Sequence, residues 1–104
     1  PEWLESELLQ ASGAMQAFVF GDGQTRLRAW LAGPPGAAPA SLEQHLIALN
    51  QRLPDYARLA QVFWLPRPLT PDSGLLTGNG RMQRQSILQA LPRLLLDASP
   101  CHIH

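Results

Sequence analysis

The stretch from Leu69 to Arg84, Leu-Thr-Pro-Asp-Ser-Gly-Leu-Leu-Thr-Gly-Asn-Gly-Arg-Met-Gln-Arg, constrains the fold most. It can extend neither the apolar run before it nor the helical pattern after it. Thr77, Gly78, Asn79 and Gly80 form regular structure poorly and tight turns well, since Gly and Asn tolerate positive φ. The pattern therefore predicts Arg81 on a loop tip. From Met82 to Leu96 the residues Met82, Ile87, Leu88, Leu91 and Leu95 recur at helical spacing, so a helix anchors the loop from behind. A cation on such a stem can be delivered to a partner surface.

The preceding chain reads as scaffold. Pro1 to Gln10 predicts a helix: Pro suits a first helical position, Glu2 and Glu5 suit the positive end, Trp3, Leu4 and Leu8 form the buried side, and Ser12-Gly13 terminates it. Met15 to Phe20 and Arg26 to Ala32 are strand-rich and flank Gly21-Asp22-Gly23-Gln24, a hairpin signal. In the second strand Leu27, Ala29 and Leu31 alternate with Arg26, Arg28 and Trp30. One face is expected to pack inward; the other is expected to be a solvated sheet surface on which Trp30 shields backbone, with a nucleotide or partner patch as the alternative.

Gly33 to Ala40 reads as an exposed connector that tolerates length variation. Ser41-Leu42-Glu43-Gln44 has the spacing of a capping box, and the helix it opens runs to about Arg52 with Leu42, Leu46, Leu49 and Leu53 facing the core and His45 beside that stripe. Pro54 stops this helix, and Gln61 to Leu65 has the composition of a third strand, ended by Pro66 and Pro68. Asp97 to His104 is expected to be a frayed tail. Its Cys101, His102 and His104 are spaced too tightly for a usual zinc site, so no metal is expected.

A chain of 104 residues forms one domain, burying about two thirds of its unfolded surface. Eight Arg balance eight acidic residues, so no overall field gathers nucleic acid or an anionic membrane, and any anion recognition is local. No apolar run approaches the roughly 18 residues a membrane span needs. The cytoplasm is the expected compartment, with peripheral membrane contact left open. There is no phosphate-cradling Gly-rich loop, no Ser/His/Asp arrangement and no carboxylate pair placed for acid-base work. The isolated chain is not expected to be active.

Leu-Thr, Gly-Leu-Leu-Thr, Asn-Gly, a cation, a hydrophobe and a further Arg, running from Leu69 to Arg84, resemble the last core motif of the adenylate-forming enzymes in the variant typical of long-chain acyl-CoA synthetases. Pro1-Glu2-Trp3-Leu4-Glu5 also resembles the family's Pro-x-Trp-(Ile/Val)-Glu segment, which follows the hinge between its two domains, and Leu-Pro-x-Tyr followed by a strand and Pro-Leu-Thr matches the family order. The resemblance runs from Pro1 to about Leu88. It implies an α+β fold, a small sheet of about three strands with one antiparallel hairpin, flanked by about three helices. This would be the mobile C-terminal lid, residues 1–96, with 97–104 as tail. The hinge and the large N-terminal domain that binds ATP and the acyl group are then expected outside this chain.

The implied function is that of an ATP-dependent, AMP-forming ligase that activates a fatty or other hydrophobic carboxylic acid as its acyl-adenylate and transfers it to CoA or a carrier-protein thiol. ATP and Mg²⁺ would be bound mainly by the N-terminal domain. Arg81 matches the Lys that reaches the acyl carboxylate and the ribose and phosphate oxygens, and Thr77, Asn79 and Gly80 form its contacting loop. The chain contains no Lys at all. Arg81 is then an active variant, the mark of a ligase-like lid or interaction domain with adenylation weakened, or drift in a Lys-free lineage. Arg84 is expected to make a surface or interdomain contact.

Overall fold

A computed structural model describes residues 2–21, 27–34, 39–79 and 81–101. Helix α1 (Glu2–Ser12) buries Leu4, Glu5 and Leu8. It ends as the sequence predicts: Gly13 adopts φ 71° and donates its N–H to the Leu9 carbonyl at 3.0 Å. The Ser12 hydroxyl donates to the Leu8 carbonyl and accepts the Ala14 N–H. Left-handed geometry of this kind is available to Gly at no Cβ cost.

Strands β1 (Gln16–Gly21) and β2 (Leu27–Ala32) pair antiparallel from Gln16 opposite Ala32 to Gly21 opposite Leu27. The predicted turn at Asp22-Gly23-Gln24 lies outside the described residues, as does Arg26. Helix α2 (Leu42–Arg52) is the crossover to β3 (Leu59–Leu65), which lies parallel to β2. A parallel partner requires such a crossover. The α2 stripe is as expected, with Leu42, Leu46 and Leu49 buried and His45 exposed.

The capping box is not formed: Ser41 has φ −91°, ψ 4° and makes no side-chain cap bond. A capping side chain needs extended backbone at that residue. Here the helix opens from a backbone turn, Leu42 N–H to the Pro39 carbonyl and His45 N–H to the Ser41 carbonyl.

Two further expectations are corrected. Ser99–Cys101 is not frayed but forms β4, antiparallel to β3 with Val62 opposite Cys101. Pro100 is tolerated there because an edge strand has a side with no ladder bonds to supply. His102 and His104 lie outside the described residues. The sheet order is β1-β2-β3-β4, one strand more than about three.

The second face of the sheet is also not solvated. Trp30 is fully buried among Phe18, Phe20, Ala32 and Leu65, beneath Ile87 of α3 (Arg84–Leu96). Phe18 stacks on both Trp30 and Phe20. The physical reason is visible in β1, where Ala17, Phe18, Val19 and Phe20 are apolar without alternation, so both faces require cover. Helices α1 and α2 close over Ala17, Val19, Ala29 and Leu31, and α3 with the chain before it closes over the aromatic face. Arg28 remains at that margin, its guanidinium 5.0 Å from the centre of the Phe20 ring.

Candidate functional site

The Arg81 loop is built from its root upward. At Leu69 the chain is held by Gln16, whose amide accepts the Leu69 N–H at 2.7 Å and donates to the Leu69 carbonyl at 3.0 Å. A 3₁₀ turn at Pro71–Ser73 follows, closed by Gly74 at φ 80°. The Ser73 hydroxyl donates to the Thr70 carbonyl and accepts the Leu75 N–H. Leu75 and Leu76 then bury into the aromatic face.

Beyond them the chain makes a small antiparallel return, with Leu76 bridged to Met82. Gln83 N–H donates to the Leu75 carbonyl at 2.9 Å, and the Gln83 side-chain amide donates to the Leu76 carbonyl at 3.2 Å. At the tip, Thr77 N–H donates to the Arg81 carbonyl at 2.7 Å while the Thr77 hydroxyl accepts the Arg81 N–H at 3.0 Å. Thr77 thus fixes the backbone of Arg81 at both its polar groups.

Arg81 is exposed, as predicted, and among the described residues it makes no ion pair. Asn79 is exposed beside it, and Gly80 lies outside the described residues. Among the described residues of this turn, Thr77, Gly78 and Asn79 have no positive φ; those with positive φ are Gly13 and Gly74. The residue that needs this freedom is Gly74, one turn earlier.

Among the described residues, one hollow of about 360 Å³ lies between the β3 exit and α3, lined by Leu65, Arg67, Leu69 and Arg93 among others, and another of about 610 Å³ lies between α1 and α2. Neither is lined by Thr77, Asn79 or Arg81. Arg81 is thus an exposed cation at the tip, outside both hollows. Among the described residues no group of His, Cys, Asp and Glu is placed to hold a metal ion.

Arg84, expected at the surface, is half-exposed and also has partners within the domain. Its guanidinium pairs with the Glu5 carboxylate and lies 5.1 Å from the centre of the Phe18 ring. The second oxygen of Glu5 accepts the Val19 N–H at 2.8 Å, on edge strand β1. Glu5 thus joins α1, β1 and the start of α3. In the sequence Glu5 reads as an acid suited to a helix start and as the Glu of the Pro-x-Trp-(Ile/Val)-Glu resemblance, neither of which predicts a partner for it. The missed signal is that Glu5 sits between Leu4 and Leu8 on the buried stripe of α1, where an acid requires a partner.

These elements make an α+β domain with a four-stranded mixed sheet, two helices on one face and one on the other. Among solved structures, the fold is similar to part of the A-PCP didomain of carboxylic acid reductase from Segniliparus rugosus, solved in complex with AMP. The TM-score is 0.69 at 21% identity, covering 89% of this chain and 15% of that one. The likeness shows the fold, and the chain spans a small part of its neighbour's length. No family model matches the chain, and no curated protein does. Among the described residues no helix is long and apolar enough to cross a membrane.

Proposed function

We propose that the chain is the C-terminal lid of an AMP-forming ligase of the adenylate-forming superfamily, which activates a fatty or other hydrophobic carboxylic acid and passes it to the thiol of CoA. The observation that carries this reading is Arg81, an exposed cation with no acidic partner among the described residues, held on a stem pinned at Leu69, Leu75 and Thr77. The fold of a neighbour solved with AMP supports it.

In the first half-reaction a carboxylate oxygen attacks the α-phosphorus of ATP, forming the acyl-adenylate and releasing pyrophosphate; in the second, the thiol takes the acyl group, AMP leaves and a proton is lost. Two anions must approach in the first step, and a positioned cation offsets their repulsion while aligning the attacking oxygen. Arg81 needs to transfer no proton for this role. Its planar fork can grip two oxygens where an ammonium is a compact point charge. In this reading Mg²⁺, ATP and the acyl chain are held mainly by a separate N-terminal domain.

The replacement of the family Lys by Arg81, in a chain with no Lys, favours a second reading, a ligase-like lid or interaction domain with weakened adenylation. The two are separated by carboxylate-dependent pyrophosphate release from the full-length protein over a panel of fatty acids. A sharp fall in Arg81→Ala supports the ligase. No release from wild type, with rescue by Arg81→Lys, supports the weakened form. No release from any variant, with ATP still bound, removes the ligase assignment. Running the second half-reaction with CoA and with a carrier-protein thiol decides the acceptor.

A further inference from the structure

Glu5 is a buried acid that apolar packing alone would not require. Its side chain is 11% exposed, against 41% for Arg84. Such pairs contribute little net stability, because desolvation offsets much of the attraction, but only one arrangement satisfies them. The loop and the pair are mechanically joined. Gln83, the residue before Arg84, donates its N–H to the Leu75 carbonyl and accepts the Ile87 N–H, each at 2.9 Å, so Gln83 ties the first turn of α3 to Leu75. Arg84 follows Arg81 by three residues, a reach of about 10 Å at most.

Ile87, Leu91, Leu94 and Leu95 of α3 set how deeply the helix sits on the aromatic face. Apolar contact is non-directional, however, and leaves a helix free to slide or turn. Besides the Gln83 bonds to Leu75 and Leu76, directional contacts that tie this end of α3 to α1 and β1 are Arg84 with Glu5 and Arg84 over Phe18. Glu5 in turn is fixed by Val19 N–H. The far end of the loop hangs from the same strand through Gln16.

We infer that Glu5 and Arg84 are a positioning pair, by which α1 and edge strand β1 set where the loop carries Arg81. As a role in adenylation this rests on the ligase reading above; as a statement about the loop it does not. Glu5→Gln is the sharp variant, because the amide oxygen can still accept Val19 N–H while the charge opposite Arg84 is lost. Arg84→Met is the second, keeping an apolar stem over Phe18.

Two measurements decide it. Amide hydrogen exchange on the folded chain is expected to speed up about tenfold at Thr77 and Arg81 in both variants, with Leu31 and Val62 in the central strands unchanged. In the full-length protein, pyrophosphate release should fall about ten- to a hundredfold in kcat in Glu5→Gln, with little change in KM for ATP, since a shift of about 1 Å has this order of effect. Arg84→Lys, which keeps the charge, should recover more activity than Arg84→Met. In an Arg81→Ala background Glu5→Gln should cost nothing further. Unchanged exchange at Thr77 and Arg81, or an equal loss of rate with and without Arg81, overturns the pair. Absence of pyrophosphate release from wild type and from Arg81→Lys alike removes the ligase reading instead, and exchange still decides the positioning role.

Discussion

On one face of the sheet, α1 and α2 lay regular apolar stripes over Ala17, Val19, Ala29 and Leu31; on the other, cover comes from α3 together with irregular chain that includes Leu69, Leu75 and Leu76. The same device appears on both sides with different consequences. The Asn50 amide holds Leu59 N–H and C=O at 2.8 and 3.2 Å as β3 begins, where the chain goes straight into a ladder. The Gln16 amide holds Leu69 in the same way, but the chain there goes out to the Arg81 loop and back. A side-chain amide matches a peptide group in its donor and acceptor, so each substitutes for a missing strand. After Leu59 the ladder of β3 carries the chain on; the irregular chain after Leu69 has no such ladder and depends on individual polar contacts and on its cover of the aromatic face.

Trp30→Ala tests that contrast most severely. It removes a fully buried indole from the irregular face and should cost about 3–5 kcal/mol in a urea titration. It should also speed amide exchange in residues 75–83. Leu46→Ala, on the α2 face, should cost about 2–5 kcal/mol and leave exchange in the loop unchanged under native conditions. Equal loosening of the loop by both would break the distinction between the faces.

Gly33→Ala comes next. A Cβ at Gly33 would lie 2.7 Å from the Trp64 ring, which is itself buried and cannot swing clear. The expected loss is about 1–3 kcal/mol, read as a lower urea midpoint with an unchanged slope. The sequence places Gly33 in a tolerant connector, and this position limits that tolerance.

Gln16→Leu against Asn50→Leu sharpens the comparison. Each leaves one N–H and one C=O without a partner at a half-buried site where water can partly replace it, so each should cost about 1 kcal/mol. Only Gln16→Leu should raise exchange at Thr77 and Arg81.

Much of this was legible from residue order. The α2 stripe, the end of α1 at Gly13 and the exposure of Arg81 follow from spacing and turn chemistry within a few residues. What was not legible joins distant residues: Arg84 to Glu5, 79 positions apart, and Gln16 to Leu69, 53 apart. Trp30 was misjudged because β2 alternates Arg28 with Trp30 locally, whereas its burial is decided by Phe18 on the neighbouring strand and Ile87 on α3. Ser41 has the capping spacing but not the backbone conformation, and spacing alone does not report φ and ψ.

The smallest expected effect concerns β4. Cys101, paired opposite Val62 and packed against the α1/α2 cluster, has its thiol pKa pushed above the ordinary cysteine value, first by burial and then by the nearby Glu43 carboxylate on α2. A raised folded pKa means the native state holds this proton more tightly than the unfolded chain. The contribution is therefore fully present below the unfolded value and is lost as pH rises through the folded one. Urea titrations at pH 8 and pH 10 should show a small alkaline loss of stability that Cys101→Ala abolishes. A frayed terminus would leave the thiol in water with the same pKa in both states, and the alkaline slope would not depend on Cys101. The measurement thus reports whether the last strand closes the α2 side of the sheet in solution.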